Sequence, residues 1–273
     1  MLKKLATLVA VLLIGAIATA HADALDTVKA HGVLRVGVEA GGTGAILSAE
    51  PGGKIVGQDA DLAALIAKKL GVKLEFVETP WPGIIPALLS GRFDMIMSGM
   101  TATAERAQKV SFSTPYGDAS LVAAVLAGNA AMASPANFPG KTFGVLLGSN
   151  VVDFAKSYNA QLAAKKLPPI TIKTYDDIPS MLLELDNKNI DALILPRPII
   201  SGYTSKKPGA YRIIPDLGDH SYFAVAMRKD DPKLMAAVNA ILMQAKADGT
   251  LAAEQTKWLG APTGKLPDTW TTP

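Results

Sequence analysis

Phe93 to Tyr116 reads FDMIMSGMTATAERAQKVSFSTPY, and the fold turns on how this stretch is read. Met95-Ile96-Met97 is an apolar run of the kind that forms a buried strand, here expected over Phe93–Met97. It stops at Ser98-Gly99-Met100-Thr101, where hydroxyls and a bare glycine N–H stand at a strand end. Open α/β sheets bind ligands at that place. Arg106 follows in a short helical segment that Thr103 is suited to cap. A cation in a first helical turn opposes the helix dipole. A guanidinium near strand-end hydroxyls is a natural carboxylate clamp. An isolated arginine at such a place would be a surface group paired with Glu105, so the surrounding pattern has to carry the reading.

Working outward, strands and helices alternate. Val33–Val38 is a strand, with Leu34, Val36 and Val38 on one face. Asp59–Leu70 is a helix with Leu62, Leu65, Ile66 and Leu70 on one side and Gly71 as its stop. Lys73–Val77 is a strand, and Pro82 opens a helix running to Ser90. The pattern then restarts: strand Thr142–Leu147, helix Val151–Ala164 after a Gly148-Ser149-Asn150 turn and cap, strand Thr171–Thr174, a helix capped by Asp176 or Asp177, and strand Ile190–Leu195 stopped by Pro196. A last helix is expected over Pro232–Ala247. Such alternation predicts an α/β protein with wound, mostly parallel sheets.

The ends and the composition narrow the class. Lys3 and Lys4, the apolar run Leu5–Ala18 and Ala20-His21-Ala22 form a signal peptide with an A-x-A cleavage site, so residues 1–22 are expected to be removed. The run is shorter than the ~20 residues of a spanning helix. The chain has no cysteine, which excludes disulfides, thiolate metal sites and a lipid-modified cysteine. The two signal lysines account for most of the small excess of 27 basic over 24 acidic residues. A nearly neutral mature chain offers nothing to nucleic acid or an anionic membrane surface. No metal-binding spacing, G-x-S-x-G or phosphate loop is present. His220 beside Asp219 and Ser221 has the composition of a triad without its geometry being implied.

The ordered set of motifs resembles the extracytoplasmic solute-binding proteins of ABC importers, in the polar amino-acid branch. It comprises Ser-Gly-x-Thr, Arg106 and Phe-Ser-x-Pro-Tyr in the opening stretch, then Gly32-Val-Leu-Arg-Val-Gly-Val38, Gly57-Gln-Asp-Ala-Asp-Leu62, Trp81 leading to Ile85-Pro86-Ala-Leu-Leu-Ser-Gly91, Met227-Arg-Lys-Asp-Asp-Pro232 and Trp258-Leu259-Gly260. The resemblance covers nearly the whole mature chain. It implies the two-lobed periplasmic binding protein fold, with residues 23–118 plus 222–273 in one lobe, 119–221 in the other, and two hinge strands near Asp118–Ser120 and Gly218–Ser221. It also implies a monomer in the periplasm that needs no cofactor, binds a small carboxylate-bearing solute on hinge closure, and presents it to a permease in the inner membrane. A cyclohexadienyl dehydratase, which shares this scaffold, and a sensor docking on a receptor are the alternatives.

The resemblance assigns roles residue by residue. Arg106 would hold the ligand carboxylate. Ser98, Gly99 and Thr101 would contact carboxylate and ammonium, and Ser149 and Asn150 would meet the carboxylate from the other lobe. Trp81 would wall the ligand side chain, while Glu39 would read a cationic one. Two positions depart from the pattern. Ala40-Gly-Gly-Thr-Gly-Ala-Ile46 stands where relatives carry an aromatic-rich Tyr-x-Pro-Phe segment. Pro196 stands where amino-acid binders place the aspartate that pairs with the α-ammonium, and Arg197 follows it. The expectation is therefore a carboxylate ligand that does not depend on an α-ammonium.

Overall fold

The computed structural model describes residues 23–41 and 44–271; the signal-peptide segment 1–22 lies outside the described residues. Two five-stranded sheets organise the chain. In the first, Lys73–Glu78, Val33–Val38 and Met95–Ile96 run parallel, and Ala226–Met227 and Ser111–Phe112 complete the sheet in antiparallel pairings. In the second, Thr171–Tyr175, Thr142–Leu146 and Ala192–Pro196 run parallel, and Leu121–Leu126 and Tyr211–Leu217 complete it in antiparallel pairings. In each sheet four of the five strands run one way and a single strand, Ala226–Met227 or Leu121–Leu126, runs against them, in keeping with the expectation of mostly parallel sheets.

The strand Ala192–Pro196 shows why its sequence is apolar without alternation. Ala192 and Ile194 face one cluster with Phe138, Phe143 and Val145, while Leu193 and Leu195 face another with Met181 and Leu185. A strand covered on both faces has no polar side to display. In the first lobe, Arg35 and Asp94 fix the register of the short strand Met95–Ile96. The Asp94 carboxylate accepts from the Arg35 backbone N–H at 2.8 Å and pairs with its guanidinium at 2.7 Å.

The helices Gln58–Leu70 and Pro232–Ala247 lie where the periodicity predicts. Pro82 lies in a 3-10 turn, Trp81–Gly83, that leads into the helix Ile84–Leu89. Three helices go beyond the sequence reading: Ala24–His31, Arg197–Thr204, which begins straight after Pro196, and Thr250–Leu259.

The chain passes between the sheets along two paired segments. Gly117–Asp118 pairs antiparallel with Tyr222–Phe223, and the Ala119 N–H donates to the Ser221 carbonyl at 2.8 Å. The side chains add a clasp. Ser120 Oγ donates to Asp118 Oδ1 at 2.6 Å and lies 3.2 Å from His220 Nδ1. The Ser120 proton is therefore committed to the aspartate, and this grouping is a structural tie rather than a nucleophile activated by histidine.

Candidate functional site

The ends of both sheets converge on a small cavity of about 30 Å³. Glu39, Trp81, Ser98, Gly99 and Thr101 approach it from the first lobe, and Ser149, Asn150, Ile178, Pro196 and Ile199 from the second. Outside it, a wider opening of about 590 Å³ is lined by Arg106, Pro82 and Leu89 facing Leu147, Asn150 and Asp153. Seven of the nine residues singled out in the sequence thus line the inner cavity, and Arg106 lines the wider opening beside Ser149 and Asn150.

Arg106 is held by its own short helix, Ala104–Ala107, which Thr103 caps through Oγ1 as expected. Only 7 % of the side chain's residue surface reaches solvent. Nη1 donates to the Thr101 carbonyl at 2.9 Å, and Nη2 reaches the Gly148 carbonyl of the other lobe at 3.4 Å. The guanidinium also stacks over the Trp81 ring at 5.3 Å. Among the described residues no carboxylate forms an ion pair with it. Burial pulls its pKa down to about 10, partly offset by the fields of Glu105 and Asp153, so it stays charged at neutral pH. A buried cation with two backbone carbonyls and no counter-charge is an incomplete ion pair.

The facing helix Asn150–Ala164 completes the anion side. Ser149 occupies the N-cap, but its hydroxyl donates backward to the Leu146 carbonyl at 2.7 Å and makes no cap bond. The expected side-chain cap is therefore absent. The Val152 N–H donates to the Ser149 carbonyl at 3.2 Å, and this helix N-terminus lines the same opening as Arg106.

The strand-end residues divide their work differently from expectation. Ser98 Oγ accepts the Glu39 N–H at 3.0 Å and so braces the first strand. Gly99 adopts φ +62°, and its N–H points away from the cavity to Asp59 Oδ2 at 2.6 Å. Gly99 is thus in the wall without offering its N–H to a ligand. Asp59 is fully buried, also accepts from the Tyr116 hydroxyl at 2.9 Å, and has its pKa raised by burial to about 7. In the sequence Asp59 is legible as a helix start and as part of the Gly57-Gln-Asp motif, but not as a partner of Gly99; it lies in the first turn of the helix Gln58–Leu70. Thr101 forms a bridge with Phe223 and supplies the carbonyl that holds Arg106.

Glu39 stands at the end of the first strand, where its Oε1 accepts the Trp81 N–H at 3.2 Å. Burial raises its pKa, the Trp81 bond lowers it, and Asp177 from the other lobe raises it further. Tyr203 has its phenol pushed up by burial and by the fields of Glu39 and Asp177. This end of the cleft is acidic, opposite in charge to the Arg106 end. Arg197 does not join the site. It opens the helix Arg197–Thr204 and is not among the cavity-lining residues, whereas Ile199, two positions on, is. Ile178 and Ile199 were not foreseen, because Ile178 reads as an ordinary apolar helix position and the helix that carries Ile199 was itself not predicted.

The family model for bacterial extracellular solute-binding proteins, family 3, matches residues 34–261. The L-cystine-binding protein TcyJ of Escherichia coli (strain K12) is 32% identical over 239 residues, covering 87% of this chain and 86% of that protein. A mutant of ArgBP from T. maritima superposes with a TM-score of 0.75 at 30% identity, covering 87% of this chain and 99% of the other. The ancestral amino acid-binding protein AncCDT-1, described as a precursor of cyclohexadienyl dehydratase, does so with a TM-score of 0.74 at 36% identity, covering 87% and 100%.

Proposed function

Because this chain belongs to the bacterial extracellular solute-binding proteins of family 3, we propose that it captures a small carboxylate-bearing solute, an amino acid or related organic acid, for an ABC importer. The observation that supports this most is Arg106: buried, charged, without an ion-pair partner, and lining the same opening as the N-terminus of the helix Asn150–Ala164. A ligand carboxylate supplies the missing partner in a bidentate pair. Arg106 and Trp81 belong to one lobe, and Ser149 and Asn150 to the other. Only a closed cleft lets one ligand meet all four, so binding shifts the population toward closure. Bending is assigned to the crossings at Asp118–Ser120 and Gly218–Ser221, and export of the mature chain from Asp23 places it, without a lipid anchor, in the periplasm. The closed form then docks on the permease.

The other end of the ligand is read by Glu39 rather than at Pro196. Asp118 is tied to the Ser120 N–H at 3.0 Å and to its hydroxyl, so it does not replace the aspartate that Pro196 displaces. An α-ammonium at the Pro196 position would lose its hydration with no carboxylate in return. A thermal-shift panel of the twenty amino acids, keto acids, hydroxy acids and dicarboxylates tests this. Carboxylates lacking an α-ammonium should stabilise the protein more than common polar amino acids do. Sub-micromolar binding of an ordinary α-amino acid would sink the inference from Pro196 while leaving the clamp intact. The likeness to AncCDT-1 motivates a second reading as a dehydratase of a carboxylated ring, which turnover of prephenate or arogenate would establish.

A further inference from the structure

The two departures from the family pattern meet in space. Pro196 ends the strand Ala192–Pro196 with φ −55° and ψ 137° and N-caps the helix Arg197–Thr204. That helix brings Ile199 and Gly202 from the second lobe against Gly44 and Ala45, in the glycine-rich loop of the first. The approach is backbone to backbone. A Cβ placed on Gly202 would overlap the Ala45 nitrogen and lie 3.0 Å from Gly44 Cα. A Cβ placed on Gly44, itself at φ +59°, would lie 3.0 Å from the Ile199 carbonyl oxygen and 3.2 Å from Gly202 Cα. Real side chains do not sit that close to fixed backbone, so both positions need glycine for the lobes to meet as they do.

Gly202 is costly where it is. A glycine in a helix interior is less favourable than alanine by roughly 1 kcal/mol. Its conformation is helical, so the residue is not required by its own backbone. What requires it is the neighbour across the cleft. Ile199, on the same helix, lines the cavity and lies within 3.6 Å of a Cβ placed on Gly99. The helix therefore touches the first lobe at two points, one at the glycine contact and one at the cavity wall.

We propose that Gly44 and Gly202 form a closure contact that sets how far the cleft shuts, and so positions the cavity wall against the solute. This rests on the reading that the lobes close around a ligand. The loop without aromatics and the strand end without aspartate are then one adaptation. The first gives up bulk so that the second lobe's helix, started by Pro196, can dock in its place.

The test is Gly202→Ala in the mature chain, with Ser201→Ala on the same helix as control. Alanine favours the helix, so circular dichroism and thermal unfolding should show a fold at least as stable as wild type. Calorimetry with the best carboxylate of the panel should show affinity at least tenfold weaker for Gly202→Ala, carried by faster dissociation, with the control unchanged. Small-angle scattering at saturation should give a larger radius of gyration for Gly202→Ala than for wild type. Equal affinity and equal radius in a folded Gly202→Ala would overturn the proposal. If wild type binds no carboxylate, the functional reading fails separately. The contact is then judged on ligand-free scattering alone, where an unchanged radius in Gly202→Ala rejects it.

Discussion

On the proposed reading, replacing Arg106 by alanine removes one half of an ion pair whose other half arrives with the ligand. A carboxylate enclosed without its cation costs about 3–5 kcal/mol, which is roughly two to four decades in affinity. Arg106→Ala should thus nearly abolish binding by calorimetry. Fold stability should change little, because the free protein is relieved of a buried cation held only by two carbonyls. Arg106→Lys should recover only part of the loss, since an ammonium cannot reproduce the planar fork or its stacking on Trp81. Wild-type affinity in Arg106→Ala would remove the residue from the site. Asp59 makes the second residue-scale prediction. Its carboxyl titrates near 4 in the unfolded chain and near 7 in the folded one. Between those values the folded state holds the extra proton, so stability falls as pH rises from about 4 to 7 and levels off above. Glu39 acts in the same direction, so the difference between wild type and Asp59→Asn isolates Asp59. Urea midpoints from pH 4 to 8 should converge toward the acid end and diverge toward neutrality, with Asp59→Asn gaining. A constant difference across that range would show that Asp59 does not titrate there.

Elements that depend on local rules were legible in the sequence, and those that depend on tertiary contact were not. Gly71 in the left-handed region ends its helix, Thr103 and Asp177 cap theirs through side-chain oxygens, and Pro232 starts the helix that runs to Ala247. Each follows from φ preference or a local hydrogen bond. The strand expected over Phe93–Met97 is only Met95–Ile96: the Asp94 N–H donates to the Arg35 carbonyl at 2.9 Å, but the Arg35 N–H goes to the Asp94 carboxylate and not to a backbone carbonyl. The helix Arg197–Thr204 was missed because Pro196 reads as a strand stop, while an X-Pro-Ile-Ile-Ser-Gly run carries no strong helical signal of its own. The clamp around Arg106 was visible as a motif. Its lack of a partner was not, since only packing shows which acids lie out of reach. The direction of the Gly99 N–H was invisible for the same reason, being fixed by Asp59 forty positions away. Pro196→Asp offers an element-scale prediction. Proline donates no N–H, so the strand loses no ladder bond, and aspartate is a good N-cap for the following helix. The variant should fold and should improve affinity for common α-amino acids relative to keto acids in the same calorimetric panel. No change in that ratio would mean that the strand end does not face the ligand's α-position.

At the scale of the molecule, the two lobes are joined by the paired crossing segments and by contacts across the cleft, among them the approach of Gly44 to Gly202. Arg106 to the Gly148 carbonyl is a long bond at 3.4 Å, and Gly148 packs against Pro82. On the proposed reading these are weak ties next to a bidentate arginine–carboxylate pair, and the ligand would carry the differential affinity that favours the closed form. Moving a two-state population from 1:99 to 99:1 requires about 5.5 kcal/mol of such preference, and a buried charge-assisted pair supplies much of it. Scattering should therefore report a monomer whose radius of gyration falls when a stabilising carboxylate is added. Arg106→Ala should keep its larger radius at the same ligand concentration, because the group that couples binding to closure is gone. The crossing Gly117–Asp118 with Tyr222–Phe223 keeps its pairing throughout, so circular dichroism should stay constant while the radius changes. A radius that does not move at saturating ligand, with binding confirmed by calorimetry in the same sample, would show a rigid two-lobed protein in which the solute enters a cleft already shut.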